Sequence, residues 1–187
     1  MPVLATDTDG GLMTRVRNGE LDALALLFER HHRPLYGFFW RLTRSAGLSE
    51  DLVQEVFLRI LKYRHTWTDG SIFNTWMYQI ARNAHVDVLR KRRPEPALEE
   101  APEPEAPQPR ADIAIEKRQQ AAQVREALQR LSPDKREILV LARYQGLRYE
   151  QIASILSCEV STVKVRVYRA MRELTAQFQA VAKERLA

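Results

Sequence analysis

The sequence predicts an all-α protein of two small helical domains, an N-terminal bundle and a C-terminal four-helix domain with a helix-turn-helix, joined by a Pro/Glu-rich linker. Three observations predict it. Apolar residues recur at the helical period on both sides of the middle of the chain, and only 7 of 187 residues are glycine. Residues 94–112 concentrate six of the nine prolines. Near the C-terminus two short amphipathic segments are separated by only a few residues, the pattern of a helix-turn-helix.

The helices follow in order. From Leu24 the apolar positions are Leu24, Leu27, Phe28, Leu35, Phe38, Phe39 and Leu42, with Pro34 predicting a kink or a break between two helices. Ser49 reads as the N-cap of SEDLVQEVFLRILKY, with Glu50 and Asp51 in a first turn that the helix dipole makes favourable for acids. Val53, Val56, Phe57 and Ile60 form its inner stripe, leaving Asp51, Gln54, Glu55, Leu58 and Arg59 mostly outside. A third segment, IFNTWMYQIARNAHVDVLRKRR, buries Phe73, Trp76, Met77, Ile80, Ala84 and Val88 and shows Tyr78, Gln79, Arg82, Asn83 and Arg90 outward. It ends in Arg90-Lys91-Arg92-Arg93, more cations than a helix C-terminus needs, which favours contact with phosphates.

Residues 94–112 have no large apolar side chain except Leu98, so they cannot fold alone and read as an extended linker between an N-terminal domain at 11–93 and a C-terminal domain at 113–187. In the second domain Ile115, Val124, Leu128 and Leu131 mark one helix, and Ser132-Pro133 starts the next, with Ser as N-cap and Pro at the first helical position. Ile138, Leu139, Leu141 and Ala142 carry that helix, and Gly146 suits a left-handed residue just past its end. YEQIASIL turns Ile152, Ala153 and Leu156 inward. After Ser157-Cys158-Glu159-Val160 the last helix runs from Ser161, with Val163, Val167, Ala170, Met171 and Leu174 inside.

Charge distribution narrows the function. Residues 1–70 balance at 9 basic and 9 acidic side chains, residues 71–93 carry +4, the linker −5 and residues 113–187 +6. Two basic blocks around an acidic spacer attract polyanions more than the net charge of +5 suggests. On the last helix Ser161, Thr162, Lys164, Val165, Tyr168, Arg169 and Arg172 share the outward face, with short polar groups at its N-terminal end and cations beyond, as a helix in the DNA major groove requires.

Other chemistries find little support. His31, His32, His65 and His85 make no metal-binding spacing, no glycine-rich phosphate loop is present, and neither a metal nor a cofactor is expected. One cysteine, Cys158, leaves no intramolecular disulfide and reads as a small filler of the turn. No apolar run approaches the roughly 18 residues of a membrane span. The start MPVLATDTDGG lacks the basic and apolar regions of a signal peptide, so a cytoplasmic protein without membrane insertion is expected. Trp67 has two readings, a platform for a base or packing over its own loop.

Three stretches, DLVQEVFLRI, FNTWMYQIARNAHVDVLRKRRP and LSPDKREILVLARYQGLRYEQIASIL with CEVSTVKVRVYRAMREL, together closely resemble the extracytoplasmic-function (ECF) sigma factors of bacterial RNA polymerase. The resemblance implies a non-enzymatic initiation factor with core RNA polymerase (clamp and flap) and promoter DNA as partners, and control by an anti-sigma factor. It places polymerase docking on Asp51, Gln54 and Glu55. It assigns contacts to the opened −10 element to Arg82, Asn83, Arg90 and Lys91, with a specificity loop at roughly Arg64–Ile72. The −35 duplex falls to Arg143, Tyr149, Glu150, Ser161, Thr162, Lys164, Val165, Tyr168 and Arg169. The sequence departs from the family where Arg148 replaces a capping Ser or Thr, Glu159 a frequent Pro, and Val165 a small residue. A different class, a helix-turn-helix regulator that binds DNA alone and carries a sensing or dimerising bundle, is the alternative; the basic 71–93 segment argues against it.

Overall fold

The computed structural model describes residues 8–91 and 111–184, with side chains from Arg118 onward in the second stretch. All regular structure among these residues is helical. The helices are α1 (Asp9–Arg17), α2 (Asp22–Thr43), α3 (Ala46–Tyr63), α4 (Phe73–Lys91), α5 (Ala111–Gln129), α6 (Pro133–Leu139), α7 (Tyr149–Leu156) and α8 (Val160–Glu184). A 3₁₀ turn, Arg64–Thr66, follows α3, and a π turn, Val140–Tyr144, follows α6. Helices α1 to α4 form one compact unit and α5 to α8 the other, with the end of α2, Trp40–Arg44, counted in the second. The prolines of the expected linker and the cations Arg92 and Arg93 lie outside the described residues.

In the N-terminal unit Leu12, Met13 and Val16 of α1, Leu27, Leu35, Phe38 and Phe39 of α2, Leu52, Val56 and Ile60 of α3, and Phe73, Met77 and Ala81 of α4 are buried together. Four expectations need correction. Pro34 breaks nothing: α2 is one helix through it, its inner stripe continuing on both sides and offsetting the missing amide hydrogen bond. Ser49 is not an N-cap. The helix begins a turn earlier, at Ala46, where Ser45 Oγ accepts from the Leu48 amide at 3.3 Å. Ser49 lies inside, fully buried, its hydroxyl donating to the Ser45 carbonyl at 2.6 Å. Phe28 is 40% exposed instead of core, stacked on His32 and edge-on to Phe57. Tyr78 is 3% exposed instead of outward, set edge-on against Phe38 with 5.3 Å between centroids.

In the C-terminal unit the core comprises Leu128, Leu131, Ile138, Leu139, Val140, Leu141, Ile152, Ile155, Val163, Val167 and Ala170. Ser132 precedes α6 with Pro133 at its first position, but its side chain makes no capping bond; its carbonyl accepts from the Arg136 amide at 2.9 Å. Gly146 does take a left-handed conformation, φ +61°, ending the π turn where the Gln145 amide reaches back to the Val140 carbonyl at 3.1 Å. The connection between α7 and α8 is three residues, Ser157–Glu159, closed by the left-handed Ser157 (φ +51°) and by the Cys158 amide on the Ala153 carbonyl at 3.0 Å.

Candidate nucleic-acid interface

Burial of Val163, Val167 and Ala170 fixes the rotation of α8, because residues three and four apart share a face. The opposite face is thereby exposed: Ser161, Lys164, Val165 (48% exposed), Tyr168 (63%), Arg169 and Arg172. Thr162 is half-buried. Arg172 lies over the Tyr168 ring with 6.0 Å to the centroid. Among the described residues Lys164 and Arg169 hold no carboxylate, whereas Arg17, Arg30, Arg59 and Arg130 each pair with one at 2.9 Å or closer. A cationic face whose Lys164 and Arg169 are left without a carboxylate among the described residues, beside a three-residue turn, is what groove binding needs.

The other candidates of this unit divide between exposed and half-buried positions. Arg143, on the π turn, and Glu150 are exposed; Tyr149 is half-buried. Two of the three sequence departures, Arg148 and Glu159, have local physical accounts. An arginine side chain has no acceptor and cannot cap α7. Instead Gln151 Oε1 accepts from the Arg148 backbone amide at 2.9 Å, one half of a capping box, and the arginine stays exposed. Glu159 immediately precedes α8, where its carbonyl accepts from the Val163 amide at 3.1 Å and its negative charge suits the helix N-terminus.

In the N-terminal unit, Asp51, Gln54 and Leu58 form an exposed row along α3, with Leu58 63% exposed. Glu55 belongs to this row but is half-buried, because Arg59 Nε holds it at 2.6 Å. Arg59 also reaches Asp87 of α4 at 2.9 Å, and these two carboxylates together raise its pKa although burial opposes them. On α4, Asn83, Arg90 and Lys91 are exposed and Arg82 is half-buried.

Residues 69–72, the end of the 64–72 stretch, form one wall of a cavity of about 620 Å³. Asp69, Gly70, Ser71 and Ile72 face Thr8, Asp9, Gly10, Gly11 and Thr14 of the α1 end, with Phe73 and Asn74 at the floor. Asn74 Oδ1 is buried there without a hydrogen-bond partner. Asn83 does not line this cavity; nine residues further along α4 places it about 13 Å away along the axis. Trp67 is buried edge-on against Trp76 and Phe73, so it packs under its loop and offers no free face for a base. The contribution of α1 is the part sequence reasoning missed. Its Thr14 and Arg17 bond to Trp67 and Asp69, fifty or more residues away in the chain, and no local period signals them. Among the described residues no cluster of three His, Cys, Asp or Glu side chains is arranged to hold a metal, and no helix is long and apolar enough to cross a membrane.

Comparison with known proteins accounts for both units. The family model for sigma-70 region 2 matches residues 27–95, and that for sigma-70 region 4 matches residues 121–174. The chain is 32% identical over 174 residues to the RNA polymerase sigma factor CarQ of Myxococcus xanthus, covering 89% of this chain and 97% of that one. It is 30% identical over 184 residues to the ECF RNA polymerase sigma-E factor of Escherichia coli strain K12, covering 92% and 95%. The sigma factor RpoE of Bartonella quintana, solved with the anti-sigma factor NepR, superposes with a TM-score of 0.64 at 25% identity, covering 88% of this chain and 98% of that one. CnrH, solved with the cytosolic domain of CnrY, shares the fold with a TM-score of 0.71 at 23% identity, over 92% and 97% of the two chains. A stand-alone regulator leaves the region 2 match unexplained. The chain belongs to the sigma-70 family, within its ECF group of RNA polymerase sigma factors.

Proposed function

We propose that this ECF sigma factor divides promoter recognition between its two units. In the C-terminal unit Ser161, Thr162, Lys164, Val165, Tyr168 and Arg169 enter the major groove of the −35 element. Arg143, Tyr149 and Glu150 flank them, and the same unit meets the polymerase flap. In the N-terminal unit Asp51, Gln54 and Glu55 dock on the polymerase clamp. Arg82, Asn83, Arg90 and Lys91 follow the single-stranded −10 element, and a base extruded from the stack enters the cavity behind residues 69–72. Extrusion costs a few kcal/mol, offset by contacts in such a pocket. The protein performs no catalysis of its own, takes no cofactor and works in the cytoplasm. An anti-sigma factor holds it inactive, as the complex of RpoE with the anti-sigma factor NepR supports.

The observation that carries this reading is the exposed α8 face whose Lys164 and Arg169 make no ion pair among the described residues, set on a three-residue turn. Permanganate footprinting on a cognate promoter, with the protein assembled on core polymerase, tests it. Reactive thymines across the −10 region that require both the protein and an intact −35 element are the expected result. Reactivity unaffected by a scrambled −35 element would overturn the division of labour.

A further inference from the structure

Helix α1 lies before the region 2 match, which begins at residue 27, yet it supplies half the wall of the cavity behind residues 69–72. The two walls are joined by a closed ring of hydrogen bonds. The indole Nε1–H of Trp67 donates to Thr14 Oγ1 at 3.2 Å, and the Thr14 hydroxyl donates to Asp69 Oδ1 at 2.6 Å. Arg17 Nη2 holds Asp69 Oδ2 at 2.9 Å, and Arg17 Nη1 donates to the Trp67 carbonyl at 3.1 Å, returning to the starting residue. The hydroxyl of Thr14 and then the guanidinium of Arg17 keep the Asp69 carboxyl below the usual carboxylate range. Between the two anchored residues the chain makes a tight turn, the Ser71 amide on the Thr68 carbonyl at 3.1 Å with Gly70 at φ +85°.

Within this ring the Arg17–Asp69 pair itself contributes little to burial. Asp69 is largely exposed, and an exposed pair of this kind adds little to folding. What it does fix is the conformation of a short, otherwise solvent-facing turn at the cavity mouth. A pocket discriminates between bases by groups held in place before the base arrives; a loose wall accommodates several. Resting on the reading of residues 64–72 as the strand-reading loop, we propose that Thr14 and Arg17 of α1 are positioning residues for −10 base selection, acting through Asp69 and Trp67.

The test uses the full chain on core polymerase, transcribing from templates with a fixed −35 element and a randomised −10 element. Arg17→Ala and Thr14→Val each lower the preference for the favoured base at one or more −10 positions by about fivefold, the effect of releasing a preorganised loop. Core affinity and −35 preference stay as in the parent protein, and Thr14→Ser restores the −10 preference. Ser71→Ala and Ile72→Ala, on the loop itself, separate the two ideas. If they alter the −10 profile and the α1 variants do not, the positioning role is overturned while the loop reading stands. If neither set alters it, the loop reading fails and this inference fails with it. A parallel loss of core affinity and −35 preference in the α1 variants would make them structural only and would also overturn the proposal.

Discussion

Arg59 on α3 and Asp87 on α4 meet at 2.9 Å, and the same guanidinium holds Glu55 at 2.6 Å. One side chain thus ties the helix read as the polymerase-docking surface to the helix read as the single-strand track, and also sets the orientation of a docking carboxylate. Arg59→Met retains most of the packing stem and removes the charge. It should lower unfolding stability by about 1 kcal/mol, the range of a partly exposed pair, and thermal denaturation of the variant measures it. A double-mutant cycle with Asp87→Asn should return a coupling energy of the same sign.

Arg136 donates to the Leu128, Gln129 and Leu131 carbonyls at 3.2, 2.6 and 3.1 Å, closing the end of α5. Burial lowers its pKa, so these bonds compensate a guanidinium taken out of water. Arg136→Met should cost about 1–3 kcal/mol, because several carbonyls lose a charged donor. The loss appears as a lower denaturation midpoint with retained helical circular dichroism at low temperature.

Lys164→Ala and Arg169→Ala should weaken binding to the −35 duplex while core-polymerase affinity stays unchanged. A side chain that contacts bases costs about 1–3 kcal/mol and relaxes specificity at one position. One that contacts phosphate weakens all sequences alike and lowers the salt slope by about 1. Titrations at several salt concentrations distinguish the two roles.

Asp51→Ala combined with Gln54→Ala should do the reverse, weakening core binding about tenfold with duplex affinity unchanged. Adding Leu58→Ala should extend the loss, since Leu58 is the exposed apolar residue of the same row. Competition for core polymerase against the parent protein gives the ratio directly.

Arg130 fastens the end of α8 to α5, holding Glu184 at 2.6 Å and Glu126 at 2.8 Å, and its hydrogen bond keeps the Glu184 carboxyl below its ordinary range. A carboxyl depressed on folding contributes stability above its unfolded pKa, near 4, and loses that contribution as pH falls through the folded value. The melting difference between the parent protein and Glu184→Gln should therefore be constant from about pH 6 to 8, shrink as pH falls below the unfolded pKa, and vanish once the folded carboxyl is protonated.

The helices that read clearly from the sequence are those whose inner face is decided by packing alone. Val53, Val56, Phe57 and Ile60 on α3 and Val163, Val167 and Ala170 on α8 are buried as their period predicts, and the outward face of α8 follows from that. Local signals misled where two residues competed for one role. Ser49 reads as a cap, but the helix starts a turn earlier with Ser45 as its cap, and Ser49 is buried inside it. Tyr78 reads as polar by its hydroxyl, but its ring is needed against Phe38. The π turn at Val140–Tyr144 carries no sequence signature, since a wider turn uses the same residues as an α-helix. The cavity is legible on one side only: the resemblance to ECF sigma factors marks the loop at 64–72, whereas Thr14 and Arg17 act across fifty or more residues of chain.

Whether this chain directs RNA polymerase to promoters through two elements is decided by transcription in vitro. The purified protein is added to sigma-free bacterial core polymerase with templates randomised at both −35 and −10, and the transcripts are sequenced. Initiation is expected from templates sharing one motif at each position, with the −35 motif lost in Arg169→Ala. Tight binding of the free protein to duplex DNA, with no promoter-specific initiation on any core enzyme supplied, would contradict it.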